Sequence, residues 1–185
     1  MKAIIFLAML SLVICLSCNK ENVNAGSSDL KLKLITIAGT TAQGDESDDN
    51  RVIAVLDIKS YNAKTGEVIF YNKLPNNIGD WQNNRYHVNV YANNDTHLFT
   101  LTYSNSFFSH LYNEPVLYYS LLDNSDIPGL TTKKNRWYML SGYPYGKVIG
   151  SETITDDEQW ENFQKIESEW NLFIDELKRT GKYIN

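Results

Sequence analysis

YHVNVYANNDTHLFTLTY, residues 86–103, is the stretch of sequence that decides the fold. In both halves apolar residues alternate with polar ones, which is typical of β-strands with one buried face. Asn93 and Asn94 stand between the halves, and asparagine tolerates the positive φ that a tight hairpin turn requires. A two-residue turn there places Val88 opposite Phe99, so that apolar side chains meet on one face. The stretch therefore predicts an antiparallel β-hairpin.

Segments with the same strand character lie on both sides of this hairpin. Three leucines in residues 30–34 alternate with lysines, which predicts a strand with one buried face. Residues 52–56 form an apolar, β-branched run that leads through residues 57–61 to a short turn. Residues 67–71 follow the turn as a second β-rich run, so that the two runs predict a second hairpin. Two further strands are predicted at 116–121 and 137–140. With the first hairpin, these segments give about seven strands.

The C-terminal part of the chain has the pattern of a helix instead. Thr155 followed by Glu158 predicts a capping box, in which the two side chains bond free backbone N–H groups. Apolar residues then recur at spacings of three and four, which places them in one stripe on a helix. The stripe consists of Trp160, Phe163, Ile166, Trp170, Phe173, Ile174 and Leu177. We expect one helix over residues 156–179, ended by Gly181, that packs this stripe against the sheet.

Strands followed by one helix are typical of the α+β class. The sequence therefore predicts an antiparallel β-sheet of about seven strands, built from hairpins, with one long C-terminal amphipathic helix packed on it. The alternative is a calycin-like up-and-down β-barrel with the helix appended at its C-terminus. Residues 30–185 are predicted to form a single globular domain, because domains typically contain about 100 to 150 residues.

The N-terminus has the pattern of a bacterial export signal. A basic residue precedes an apolar run that is shorter than the roughly 20 residues of a membrane span. Residues 16–18, Leu-Ser-Cys, resemble the lipobox of bacterial lipoproteins, in which the cysteine is lipidated and becomes the first mature residue; Cys15 departs from that pattern. We expect residues 1–17 to be a lipoprotein signal peptide and Cys18 to be lipidated. Residues 18–29 are polar and are predicted to be a flexible tether.

Composition and cysteine content argue against several classes of function. The formal net charge of −5 argues against a nucleic-acid partner, which would require a basic surface. Both cysteines lie in the signal region, so the domain has no disulfide, cysteine nucleophile or thiolate metal site. In the predicted hairpin His87 and His97 lie on opposite faces, where they cannot ligate one metal ion. The sequence therefore predicts no metal site and no cofactor.

Aromatic residues around the last predicted strand form the candidate binding surface. Alternation along the strand places neighbouring rings on opposite faces, so that some of them point away from the core. Exposed rings can stack on sugars or anchor a partner protein, because each offers a large apolar face and a polar tip. Gly142, Pro144 and Gly146 shape the following turn and lower the cost of ordering its rings. The predicted surface consists of Trp137, Tyr138, Tyr143 and Tyr145; the alternative is that these rings form core beneath the helix.

Several segments resemble a family of uncharacterised lipoproteins of Bacteroides-type bacteria. The resemblance rests on residues 57–62 and 65–70, and on shorter pieces at 98–100, 112–113, 117–119, 142–144, 170–174 and 181–183. It covers most of the domain and implies a Gram-negative outer membrane, with the domain on the periplasmic face or at the cell surface. It implies no particular activity.

Two functions fit these observations. The first is a non-enzymatic binding or structural module of the cell envelope, held in the outer membrane by the lipid on Cys18, that contacts a glycan or an envelope protein. The second is an envelope hydrolase with a carboxylate-based site. The sequence contains no His-Glu-x-x-His, no Gly-x-Ser-x-Gly and no glycine-rich phosphate loop. We favour the first function because these catalytic signatures are missing.

Overall fold

The computed structural model of the protein describes residues 30–36, 52–72, 86–92, 96–107, 110–124 and 127–185. The strands are β1 (Lys31–Thr36), β2 (Val52–Asn62), β3 (Glu67–Phe70), β4 (Tyr86–Ala92), β5 (Thr96–Asn105), β6 (Val116–Ser120), β7 (Arg136–Leu140) and β8 (Tyr183–Ile184). The helices are α1 (Asp157–Gln164) and α2 (Glu167–Arg179). All of the predicted strands are present, and β8 is an additional short strand after the helices.

Strands β1 to β7 form a closed barrel rather than an open sheet. The order around the barrel is β1-β4-β5-β6-β7-β3-β2, and β2 pairs with β1 to close the ring. The predicted open antiparallel sheet is therefore wrong, and the closed barrel with C-terminal helices fits the alternative. Alternation shows which side chains face inward, whereas closure depends on both edges of β1 being paired, and no local pattern reports that.

The order of strands around the barrel differs from their order in the chain. β1 to β3 are neighbours in sequence, as are β4 to β7, and the β1–β4 and β3–β7 pairs join the two groups. β5 and β6 are parallel, which requires a crossover connection between them. That connection brings Tyr112 beside Tyr143, where each backbone N–H donates to the other residue's carbonyl oxygen at 2.9 Å. The crossover therefore holds the turn that follows β7.

The hairpin of β4 and β5 is present, but its register differs from the predicted one. Val88 pairs with Leu101 and Val90 pairs with Phe99, and a bulge lies between Val90 and Tyr91. The predicted pairing of Val88 with Phe99 is therefore wrong by two residues. Because the side-chain period of a strand is two, this shift leaves the same apolar residues facing inward, and all four are buried.

The C-terminal segment forms two helices instead of the single predicted one. Ile166, with φ −118° and ψ 6°, interrupts the helical conformation between α1 and α2. The N-cap of α1 is Asp156, whose Oδ1 accepts a hydrogen bond from the Gln159 backbone N–H at 2.9 Å. The predicted cap at Thr155 is wrong by one residue, because Asp is at least as good an N-cap as Thr and the two are adjacent.

Helix α2 covers one end of the barrel. Trp170, Phe173 and Leu177 of its apolar face are buried. Trp170 and Phe173 contact Tyr61 of β2 and Phe99 of β5, with ring centroids 5.6–6.2 Å apart. Since β1 and β4 separate β2 from β5 in the ring, a helix that contacts both spans the barrel end. The predicted docking of these residues is confirmed.

A second, smaller core lies apart from the main one. Tyr118 of β6 and Tyr138 of β7 belong to it, and Tyr143 from the following turn stacks on Tyr118 with ring centroids 5.3 Å apart. The Tyr118 hydroxyl is hydrogen-bonded to the Ser106 hydroxyl at 2.7 Å, and the Tyr138 hydroxyl accepts from the Lys133 backbone N–H at 2.8 Å. This cluster anchors the segment that carries Tyr145 to the barrel.

Candidate binding site

The structure separates the four residues of the predicted binding surface. Trp137 lies in the main core and packs on Tyr119 with ring centroids 4.6 Å apart. Tyr138 and Tyr143 lie in the second core, and only Tyr145 of the four is exposed, with 64% of its surface accessible. The predicted surface is therefore not exposed as a set. The physical reason is that both faces of β7 are covered, one by the barrel interior and one by the second core.

Tyr145 lines a surface pocket of about 350 Å³, which we call the Tyr145 pocket. Its described lining residues are Pro128, Tyr145, Lys147, Thr155, Asp156 and Gln159. They come from three parts of the chain that the fold brings together: the loop between β6 and β7, the turn after β7, and the start of α1. The pocket therefore contains the one exposed residue of the predicted surface together with polar groups that were not predicted.

The turn after β7 presents Tyr145 because two glycines allow it to close tightly. A Cβ atom on Gly142 would meet the Tyr112 carbonyl oxygen, and one on Gly146 would meet the backbone of Gly142. The Ser141 backbone N–H donates to the Lys147 carbonyl oxygen at 2.8 Å, which ties the two ends of the turn together. These contacts thus fix the backbone that carries Tyr145.

Gln159 is the best-defined polar group of the pocket. It is 3% exposed, and its Oε1 accepts a hydrogen bond from Ser141 Oγ at 2.6 Å. Ser141 Oγ in turn accepts from the Lys147 backbone N–H at 3.0 Å, so its own proton is available for Gln159. This chain of bonds fixes the side-chain amide with Nε2 as its free donor.

Gln159 lines the Tyr145 pocket, and its Nε2 group is a donor without a partner among the described residues. Across the described ranges, Ser104 Oγ is the one fully enclosed side-chain nitrogen or oxygen atom without a hydrogen bond. Gln159 Nε2 makes no hydrogen bond to the described residues either, so it reaches accessible space, and the space that Gln159 lines is the Tyr145 pocket. A buried amide with an unused donor is a group that a ligand can satisfy.

The charged groups of the pocket are partly used by the protein itself. Lys147 Nζ donates to the Pro128 carbonyl oxygen at 3.0 Å, and Asp156 Oδ1 caps α1. The described lining thus holds one cation and one carboxylate, which balance each other. The pocket favours a neutral, polar ligand over a strongly charged one.

Sequence reasoning missed Gln159, although a signal was available. The inward-facing side chains of the two helices lie at positions 159, 163, 166, 170, 173 and 177. Gln159 therefore occupies the first position of the stripe. The predicted first position, Trp160, is 39% exposed and is therefore wrong. A glutamine four residues before Phe163, on a core-facing stripe, requires a polar partner inside the protein.

The histidines do not lie where the predicted register placed them. His87 pairs with Thr102 and His97 pairs with Tyr91, so both side chains are on the outer face of the barrel, near opposite ends of β4. The prediction of opposite faces is therefore wrong. In the part of the chain that the structure describes, no group of three or more His, Cys, Asp or Glu residues is arranged to hold a metal ion.

Comparison of the chain with protein-family models, with curated proteins and with solved structures finds no match. Within the described residues, no helix is long and apolar enough to cross a membrane. Cys18 and the predicted signal and tether lie outside the described residues.

Proposed function

We propose that the protein is a lipid-anchored binding module of the bacterial outer membrane whose Tyr145 pocket takes a sugar residue of a glycan. The observation that supports this most is the pairing, in one pocket, of an exposed tyrosine ring with a buried amide donor that has no partner among the described residues. A sugar ring presents an apolar C–H face and a rim of hydroxyl groups, and these two features need these two kinds of protein group.

The tyrosine supplies the apolar part of the recognition. Tyr145 is 64% exposed although it is held on a turn that is tied to the barrel by Ser141 and Lys147. Because the backbone of this turn is ordered before binding, only the rotamers of the tyrosine side chain need to be fixed when a ligand stacks on its ring. The phenol also carries a hydroxyl group that can bond a sugar hydroxyl.

The amide supplies the directional part. The hydrogen bond from Ser141 Oγ to Gln159 Oε1 orders the side-chain amide before binding. Binding of a ligand oxygen to Nε2 therefore costs little conformational entropy of this side chain. Thr155 and Asp156 add acceptor oxygens at the rim of the same pocket. The volume of about 350 Å³ is at the lower end of ligand pockets, which fits one sugar ring of a longer chain better than a large cofactor.

The number of acidic residues that line this pocket favours a binding role over hydrolysis. Glycosidases generally use two carboxyl groups that face each other across the scissile bond. Among the described lining residues Asp156 is the single acid, and its Oδ1 is engaged as the cap of α1. The Tyr145 pocket therefore has the groups to hold a sugar but lacks a carboxylate pair to cleave one.

The location of the protein is inferred from the predicted lipid on Cys18. The lipobox-like residues 16–18 and the resemblance to Bacteroides-type lipoproteins support attachment to the outer membrane, on its periplasmic face or at the cell surface. Residues 18–29 can span up to about 40 Å when extended, which lets the domain reach polymers beyond the lipid head groups. An envelope polysaccharide or a glycan from the surroundings is then the partner, and the protein acts through binding.

The proposal is tested on an immobilised glycan array with the full chain solubilised in detergent. We expect the wild-type protein to bind a subset of the glycans and Tyr145→Ala to abolish that binding. The matched control is Tyr71→Ala, because Tyr71 is a tyrosine of almost equal exposure, 65%, that does not line the pocket.

Two results would overturn the proposal. One is the absence of binding to any glycan on the array by folded wild-type protein. The other is equal loss of binding in Tyr145→Ala and Tyr71→Ala, which would place recognition elsewhere. Both variants remove exposed rings, so circular dichroism should show unchanged folding in each.

A further inference from the structure

A second pocket lies where α2 meets the covered end of the barrel, and we call it the Trp170 pocket. It has a volume of about 250 Å³. Its described lining residues are Tyr61, Ala63, Ile149, Gly150, Ser151, Trp170, Asn171, Ile174 and Tyr183. It shares no described lining residue with the Tyr145 pocket, so the two are distinct sites.

Two buried hydrogen-bond donors that have no partner in the described part of the chain line this pocket. Tyr61 is 1% exposed and Trp170 is 4% exposed, and their rings pack edge to face with centroids 5.8 Å apart. Neither the Tyr61 hydroxyl nor the Trp170 indole N–H makes a hydrogen bond to the described residues. Since Ser104 Oγ is the one fully enclosed unpartnered atom in the described ranges, both donors reach accessible space. Buried Tyr and Trp usually find partners for these groups, so this pair requires an explanation.

Gly150 keeps the indole N–H open to the pocket. Its φ is +73°, and a Cβ atom at this position would lie 2.9 Å from Trp170 Nε1. Any other residue would therefore be strained and would also approach the donor. The glycine leaves free space next to a polar group that is otherwise enclosed by protein.

The remaining surface of the pocket is apolar or neutral. Ala63, Ile149 and Ile174 contribute hydrocarbon, and the described lining holds no lysine, arginine, aspartate or glutamate. An ion that entered would lose its hydration without meeting an opposite charge, which is unfavourable. A neutral molecule with an apolar body and an acceptor oxygen meets no such cost, and the two donors satisfy that oxygen.

We propose that the Trp170 pocket binds a small neutral molecule through a carbonyl oxygen, which accepts from the Tyr61 hydroxyl and the Trp170 indole N–H. Burial raises the pKa of Tyr61 above its usual range, so its hydroxyl stays protonated and remains a donor at neutral pH. The pocket is smaller than most drug-sized sites, which limits the ligand to about one ring with a short substituent.

The test compares three probes of similar size by NMR of the ¹⁵N-labelled full chain in detergent. Benzamide is neutral and has a carbonyl oxygen, benzoate is an anion, and benzylamine is a cation at neutral pH. We expect benzamide alone to shift the indole N–H signal of Trp170 in a saturable manner. That signal is identified among the indole signals of the four tryptophans by its loss in Trp170→Phe.

Three variants make the test specific. Tyr61→Phe removes one donor and should weaken benzamide binding about five-fold, the loss of one hydrogen bond. Ser151→Phe fills the rim and should block binding without changing either donor. Tyr91→Phe, on the outer face of β4, should bind as the wild type does.

The proposal is overturned if benzamide leaves the Trp170 signal unmoved, because the pocket then holds only water. It is also overturned if benzoate or benzylamine shifts the signal equally. The same conclusion follows if Tyr61→Phe and Ser151→Phe both bind benzamide as the wild type does. None of these outcomes depends on glycan binding at the Tyr145 pocket, so the two proposals can fail separately.

Discussion

Replacing Trp170 with alanine should remove the contact that holds α2 over the barrel end. Trp170 is 4% exposed and packs against three rings, those of Tyr61, Phe99 and Phe173, with centroids 5.2–5.8 Å away. Truncating a buried aromatic residue to alanine typically lowers the free energy of unfolding by about 3–5 kcal/mol. With three aromatic partners, we expect a loss in the middle of that range, at about 4 kcal/mol.

The chain offers a matched control on the neighbouring helix. Trp160 is 39% exposed and has one ring partner, Phe163, at 5.6 Å. Trp160→Ala makes the same chemical change, but the side chain is already in water to a large extent. We expect it to lower the free energy of unfolding by about 1 kcal/mol, which is the usual effect of a single substitution without a large cavity.

Urea unfolding followed by circular dichroism measures both variants on the full chain in detergent. For a domain of this size, about 4 kcal/mol also lowers the melting temperature by roughly 10 °C. Because the free energy of unfolding of a domain is typically about 5–15 kcal/mol, we expect the Trp170→Ala variant to be only marginally stable. Equal losses in Trp170→Ala and Trp160→Ala would refute the docking of α2 described above.

Three other predictions concern the lipid anchor on Cys18 and the buried tyrosines. Cys18→Ala should leave the protein unprocessed or release it from the membrane fraction; normal processing with unchanged fractionation would disprove lipidation. Tyr61→Phe should change the free energy of unfolding by less than about 0.5 kcal/mol, whereas Tyr138→Phe should lower it by about 1 kcal/mol. The reason is that, of these two hydroxyl groups, the one of Tyr138 is hydrogen-bonded to a described residue. Equal losses in urea unfolding would contradict this. Burial raises the pKa of Tyr61 and Tyr103, so their contribution to stability is complete below about pH 10 and is lost above it as the unfolded chain ionises. Among the described groups that titrate in this range, Lys182 is the one whose pKa is lowered by burial, and it opposes this trend. Urea unfolding should therefore show lower stability at about pH 11 than at about pH 8, and an unchanged value would count against buried tyrosines.

Local patterns were sufficient to predict seven strands and a helical C-terminal segment, but not the closure of the barrel. The alternation in β4 and β5 identifies the inward-facing residues, because that pattern is set by the strand itself. The bulge beside Tyr91 and the pairing of β1 with both β2 and β4 depend on contacts between distant segments. Periodicity carries no information about such contacts, so the register and the barrel could not be derived from it.

Only part of the candidate site could be predicted, for a similar reason. Tyr145 was identified because glycine and proline mark a turn that presents its ring. Trp137 and Tyr138 were misplaced because a strand covered on both faces looks, in sequence, like one with an exposed face. Ser141 forms hydrogen bonds with both Lys147 and Gln159. Gln159 is distant from the other two in the chain, and it meets them because α1 packs on the turn that follows β7.

The most direct test of the proposed function observes the buried amide of Gln159 while a sugar binds. The measurement is an NMR titration of the side-chain Nε2 signals of Gln159 with the glycan that binds most strongly on the array, assigned with Gln159→Glu. We predict a saturable shift of these signals in the wild-type chain and none in Tyr145→Ala at the same concentrations. If the glycan binds while the Gln159 signals stay unmoved, the Tyr145 pocket is not the site of recognition.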